Sequence, residues 1–79
     1  MRAERRIVRD FLRTAAPCYA VPLIDRFGLG PEERACLVEC DVRRRSTVSV
    51  GQTLGMAPGT VSRYRGAAMD RIAAALLAE

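Results

Sequence analysis

Hydrophobic and polar positions in the first fifteen residues fall on opposite sides of a helical wheel. At about 100° per residue, Arg2, Arg5, Arg6, Arg9 and Arg13 share an arc of about 100°, facing away from Ile7, Val8, Phe11, Leu12 and Ala15. The pattern predicts an amphipathic helix from Arg2 to Ala15 with a basic, solvated face. Pro17 closes it, because proline pushes the preceding Ala16 into extended backbone. A second helix is predicted over Cys18 to Phe27, with Pro22 in its first turn, Val21, Leu23, Ile24 and Phe27 apolar, and Gly28 and Gly30 at its end. Pro31 followed by Glu32 and Glu33 marks a third start, since proline fits the first helical position and acids suit the positive end of the dipole. That helix is expected to reach about Arg44 and to bury Leu37 and Cys40.

From residue 46 onward the spacing becomes more specific. Ser46 is the expected N-cap of a short helix, Thr47 to Leu54, and Pro58 opens a long one reaching to about Ala78. Counted from Thr47, a small residue falls at the fifth position (Gly51), a glycine at the ninth (Gly55) and a β-branched residue at the fifteenth (Val61). This is the spacing of a helix-turn-helix. Gly51 allows close crossing, Gly55 supplies a left-handed residue in the turn, and Val61 anchors the following helix. Val50, Leu54 and Met56 complete its apolar contacts, and Val61, Ala68, Ile72 and Leu76 form a seam along the last helix. The expected architecture is all-α: a small helical domain whose C-terminal trihelical helix-turn-helix, residues 29–79, follows one or two helices. Residues 1–28 form an N-terminal amphipathic helical extension, and the whole makes one compact domain.

Composition fits this picture. The chain has 79 residues, 49% of them hydrophobic and only 5% aromatic, so its core must be built from Leu, Val, Ile and Ala, as in packed helices. A chain this short has no room for a deep catalytic cavity. The formal charge is +4, and all 13 basic residues are arginine. Arginine binds phosphate and guanine through bidentate bonds, which suits a nucleic-acid partner, although the base composition of the coding DNA would produce the same bias. No apolar run is long enough to span a bilayer and no signal-peptide core follows the basic start, so no membrane association and a cytoplasmic location are expected. Three cysteines, Cys18, Cys36 and Cys40, with no histidine, do not make up a zinc ligand set. They are read as small core hydrophobes, with no metal and no cofactor. Without histidine, a phosphate-cradling glycine loop or a nucleophile beside a base, no enzyme is expected.

The candidate partner is therefore double-stranded DNA. In a helix-turn-helix the second helix lies in the major groove and the preceding one braces across the phosphates. Opposite Val61 and Ile72, the last helix presents Gly59, Ser62, Arg63 and Gly66, with Pro58 at its tip. Arg63 is the side chain able to grip guanine bidentately. Thr47, Ser49, Gln52 and Thr53 face phosphate oxygens, and Arg43, Arg44 and Arg45 form a basic corner that serves either DNA or a solvated helix end. The arginine face of the first helix has three readings: a solvated surface, a supplementary backbone contact, or docking to an acidic protein. One arginine discriminates by about 1–3 kcal/mol, against about 4–10 for typical regulators, so selectivity needs a second copy, another domain or a partner. A homodimer through the last helix, using Met69 and Leu77, is one route.

The stretch from Gly30 to Leu77 resembles region four of bacterial sigma factors and the related output domains of response regulators. The residues carrying the likeness are Pro31-Glu32-Glu33-Arg34, Ser46, Val50, Leu54-Gly55-Met56 and Gly59-Thr60-Val61. Thr60 to Arg65, followed by Ala68, is also similar to small sigma-like regulators of phages and other mobile elements. The resemblance implies a transcription regulator whose Ser62 and Arg63 contact bases and whose Thr47 contacts the backbone. It leaves no space for a promoter-melting domain. Alternative roles are a module docking to RNA polymerase or another regulator, and a phage packaging or recombination accessory. Two residues depart from the family pattern. Asp41 and Arg65 stand where apolar residues are usual, so they are expected to pair across two helices, or Tyr64 to turn inward and release Arg65 to the surface.

Overall fold

The computed structural model describes residues 3–77, with side-chain burial assigned for 5–76. Among the described residues it is all-helical, with no strand and extents of 36 × 24 × 21 Å. The helices are α1 (Ala3–Thr14), α2 (Pro17–Asp25), α3 (Pro31–Leu37), α4 (Thr47–Leu54) and α5 (Pro58–Leu77). Arg2 and Ala78 lie outside the described residues.

Local chemistry sets most of the boundaries. Ala16 is extended (φ −64°, ψ 143°), as Pro17 requires, and Pro17 itself opens α2. Pro22 therefore sits inside α2 and not in its first turn. Its missing N–H would have met the carbonyl of Cys18, on a side of the helix where Cys18, Tyr19 and Pro22 all face solvent and water can replace the bond. At α3, Glu33 Oε1 accepts from the N–H of Gly30 at 3.3 Å. The helix does not continue in regular form to Arg44. It passes into a π-helical turn, Val38–Val42, closed by the Arg43 N–H donating to the Val38 carbonyl at 2.9 Å. Arg44 then reverses the chain in left-handed backbone (φ 59°), a conformation costing a non-glycine residue about 1–2 kcal/mol.

The α3–π segment is the central element, burying Cys36, Leu37, Val38, Cys40, Asp41 and Val42. Around it the core divides in two. The larger part joins Val8 and Leu12 of α1, Ala20 and Ile24 of α2, Leu37, Val38 and Val42, and the later turns of α5 from Ala68 to Ala73. It thus unites residues before and after the Gly28–Gly30 punctuation. The smaller part holds Cys36, Cys40, Val50 and Val61, flanked by Leu54, Met56 and Tyr64.

Helix α1 is rolled relative to the orientation its pattern predicts. The buried line runs through Val8 and Leu12, displaced by about 50° from the centre of the apolar arc. Ile7 is 67% and Phe11 48% exposed, whereas Arg5 and Arg13 turn toward acids. Arg5 donates to both carboxylate oxygens of Asp70, at 2.6 and 2.5 Å, and Arg13 lies 3.7 Å from Asp41. The arginine face is thus partly an intramolecular ion-pairing surface. The wholly buried Asp41 and the half-exposed Asp70 thus each draw a cation from α1, in keeping with the roll.

Candidate nucleic-acid interface

Ser46 caps α4, its Oγ accepting from the Ser49 N–H at 3.1 Å. Gly55 ends α4 in left-handed backbone (φ 70°, ψ 36°), and the Met56 N–H returns to the Gly51 carbonyl at 2.8 Å. Gly51 is needed because a Cβ there would lie 2.4 Å from the Met56 carbonyl oxygen, inside the turn, and 3.6 Å from Val61. Val61, fully buried, fixes the first turns of α5 against this unit.

The rotation of α5 is further set by a buried ion pair. Arg65 Nε donates to Asp41 Oδ2 at 2.5 Å and Nη2 donates to Oδ1 at 2.7 Å, with the Asp41 side chain wholly buried. The two charges standing where apolar residues were expected are therefore complementary, and the hydrogen bonds that Arg65 donates to Asp41 push its guanidinium further toward the charged form.

This frame leaves Pro58, Gly59, Ser62 and Arg63 exposed on the outer face of α5. Arg63 faces no carboxylate among the described residues and borders a shallow depression of about 310 Å³ with Thr60, Tyr64 and Ala67. Gly66 is different. The guanidinium of Arg5 lies over it, so close that a Cβ would stand 3.0 Å from Nη1. The close approach that glycine permits there is made by α1. Arg5 is the residue that the α5 pattern does not disclose: it places a guanidinium one turn beyond Arg63 and neutralises Asp70, which shares that face. Its hydrogen bonds to Asp70 raise its pKa from the usual guanidinium value.

The basic corner is partly occupied within the molecule. Arg45 donates to Glu39 at 2.9 Å, to Ser49 Oγ at 3.0 Å and to Thr53 Oγ1 at 2.6 Å. Thr53 in turn donates its proton to the Ser49 carbonyl at 3.2 Å, whereas the hydroxyl proton of Ser49 has no acceptor in the described structure. Arg43 lies 3.2 Å from Glu39, and Arg44 donates to the Arg13 carbonyl at 2.5 Å, capping the end of α1. Thr47 is half-buried and Gln52 exposed. Arg43, Arg44 and Arg45 set against Glu39 still leave an excess of positive charge beside the N-terminus of α4. Among the described arginines, Arg6, Arg26, Arg44 and Arg63 face no carboxylate at ion-pairing distance.

The proposed dimer surface on α5 takes a different form. Met69 is 2% exposed because α1 packs over that side of α5, and the side chain of Leu77 lies outside the described residues. Leu76, expected in the buried seam, is 51% exposed. Cys36 and Cys40 are buried and Cys18 is exposed, and the described residues hold no cluster of three potential metal ligands. No helix among them is long and apolar enough to cross a membrane. No family model matches the chain, and no curated protein or solved structure shows significant similarity to it.

Proposed function

We propose that the chain is a DNA-binding transcription regulator in which α4, the Gly55 turn and α5 act as a helix-turn-helix of the sigma-region-four kind. The supporting observation is the outward position of Ser62 and the uncompensated Arg63 on α5, beyond a left-handed turn at the family spacing. In this reading α5 enters the major groove, Arg63 takes guanine, and Ser62 takes a base or phosphate. Ser49 and Arg44 supply backbone contacts from the adjoining corner, and Arg5 lies in reach of the next phosphate. The test is selection of bound duplexes from a random pool, followed by titration of the recovered sequence. Arg63→Ala should weaken binding to that sequence by about 1–3 kcal/mol and random duplex by much less. Failure to retain any duplex at low salt overturns the proposal.

The extent of internal ion pairing favours a second reading, a module that docks to RNA polymerase or another regulator. Of the four arginines free of carboxylates, Arg63 is assigned to a base and Arg26 stands at the end of α2, away from α4 and the first turns of α5, so the salt dependence of DNA binding should be shallow, corresponding to about two phosphates.

A further inference from the structure

The roll of α1 opens an apolar groove at the end of the molecule remote from Ser62 and Arg63. Ile7 and Phe11 form one wall, Leu23 and Phe27 of α2 the other, and Ile72 and Leu76 of α5 lie along the floor and far rim. Every lining side chain is apolar, and three of them, Ile7, Phe11 and Leu76, are about half or more exposed. The volume is about 240 Å³, below the usual range for small-molecule pockets, which also carry a few polar groups to orient the ligand. An unbroken apolar lining is the composition of the core of a homodimer interface.

The charges beside the groove narrow the choice of occupant. Asp10 stands just outside the α1 wall, 63% exposed, with only the loose approach of Arg9 at 3.7 Å. Arg26 stands on the α2 side, where it borders the continuation of the groove with Leu23, Phe27, Ala75 and Leu76, and faces no carboxylate among the described residues. An anionic membrane would favour arginine on both rims. One acid and one free arginine on opposite walls suit a surface meeting itself, because a two-fold interface sets each residue of such a pair against the other residue of the partner.

We propose that this groove binds a second copy of the same chain, the Ile7–Phe11 ridge of each copy entering the other's groove and Asp10 of each facing Arg26 of the other. The dimer does not depend on DNA, but its use in recognition rests on the DNA-binding reading. Ser62 and Leu76 are fourteen residues apart on α5, about 21 Å along the axis, so pairing at one end leaves the other uncovered. Two copies joined there span enough to reach major grooves one helical turn, about 34 Å, apart. A second Arg63 supplies the discrimination that one copy lacks.

The experiment is sedimentation equilibrium of the full chain without DNA. The wild type should approach twice its 8.7 kDa mass as concentration rises. Ile7→Asp, at a position exposed in the single copy, should keep the helical circular dichroism and remain monomeric. Asp10→Arg and Arg26→Asp should each raise the dimer dissociation constant about tenfold or more, and the doubly swapped chain should return to within about threefold of wild type. A wild type that stays monomeric at its solubility limit overturns the proposal. So does a dimer indifferent to Ile7→Asp, or one whose charge-swapped singles are not rescued by the double. A dimer that retains no duplex removes the DNA-binding reading and leaves this one standing; duplex bound only by monomers does the reverse.

Discussion

Replacing Arg65 by Met tests the physical basis of the site's geometry. The substitution keeps an unbranched apolar stem in place but removes both hydrogen bonds to Asp41, whose side chain is wholly buried. The nearest remaining cation is Arg13, 3.7 Å away and 46% exposed, so its compensation is limited to about 1 kcal/mol. Orphaning one member of a buried pair costs about 3–5 kcal/mol. Arg65 retains 21% exposure, which places the loss at the low end, about 3 kcal/mol. For a domain of this size that lowers the Tm by about 12–24 °C. The matching double variant, Asp41→Leu with Arg65→Met, exchanges the pair for apolar contacts and should recover most of the loss, because neither charge is left unpaired. Urea and thermal unfolding of wild type, both singles and the double, followed by far-ultraviolet circular dichroism, yield the coupling energy. A loss below about 1 kcal/mol in Arg65→Met, or a double variant no better than the sum of the singles, would show that Asp41 does not depend on Arg65.

Gly51→Ala should destabilise by about 1–3 kcal/mol in urea, since its Cβ would press on the backbone carbonyl of Met56 at 2.4 Å, while Gly59→Ala, with open space around it, should show no such loss. Under native conditions a thiol reagent should modify Cys18 rapidly and the other two cysteines only on unfolding. Burial encloses Cys36 and Cys40 and pushes both thiols up from their usual pKa; simultaneous reaction of all three would contradict this. The hydrogen bond from Arg34 holds the carboxyl of Asp25 below the usual range. Its contribution should therefore be present above about pH 4 and vanish as pH falls through the lowered value. The Tm difference between wild type and Asp25→Asn should close in acid, and a gap unchanged down to about pH 2 would exclude the linkage.

The elements read most directly from the sequence are those fixed by local chemistry. The Ser46 cap, the left-handed Gly55, the crowded Gly51 and the buried Val61 follow from what a few adjacent residues can adopt. The Asp41–Arg65 pair was legible as one of two outcomes: two charges on apolar faces either meet across the helices or one escapes to the surface, and the first is found. What escaped depends on distant partners. Arg5 and Arg13 of α1 pair with Asp70 and Asp41, far along the chain, so part of an arc that reads as solvated turns to internal acids while Ile7 and Phe11 stay outside. The same contact buries Met69 and places Arg5 over Gly66. The π turn carries no signature, because the residues that form it would serve equally well in a regular helix.

Dividing the apolar interior into two parts has a consequence for motion. Helix α4 rests on the smaller cluster, through Val50 and the partly covered Leu54, while the other four helices share the larger one. Opening α4 sacrifices only the minor share of buried surface, so its amide hydrogens should exchange with solvent sooner than those of α3 or the second half of α5. Under the proposed DNA-binding function, the segment that braces against a duplex is released before α3 and the second half of α5, and the grip adjusts without unfolding the foundation.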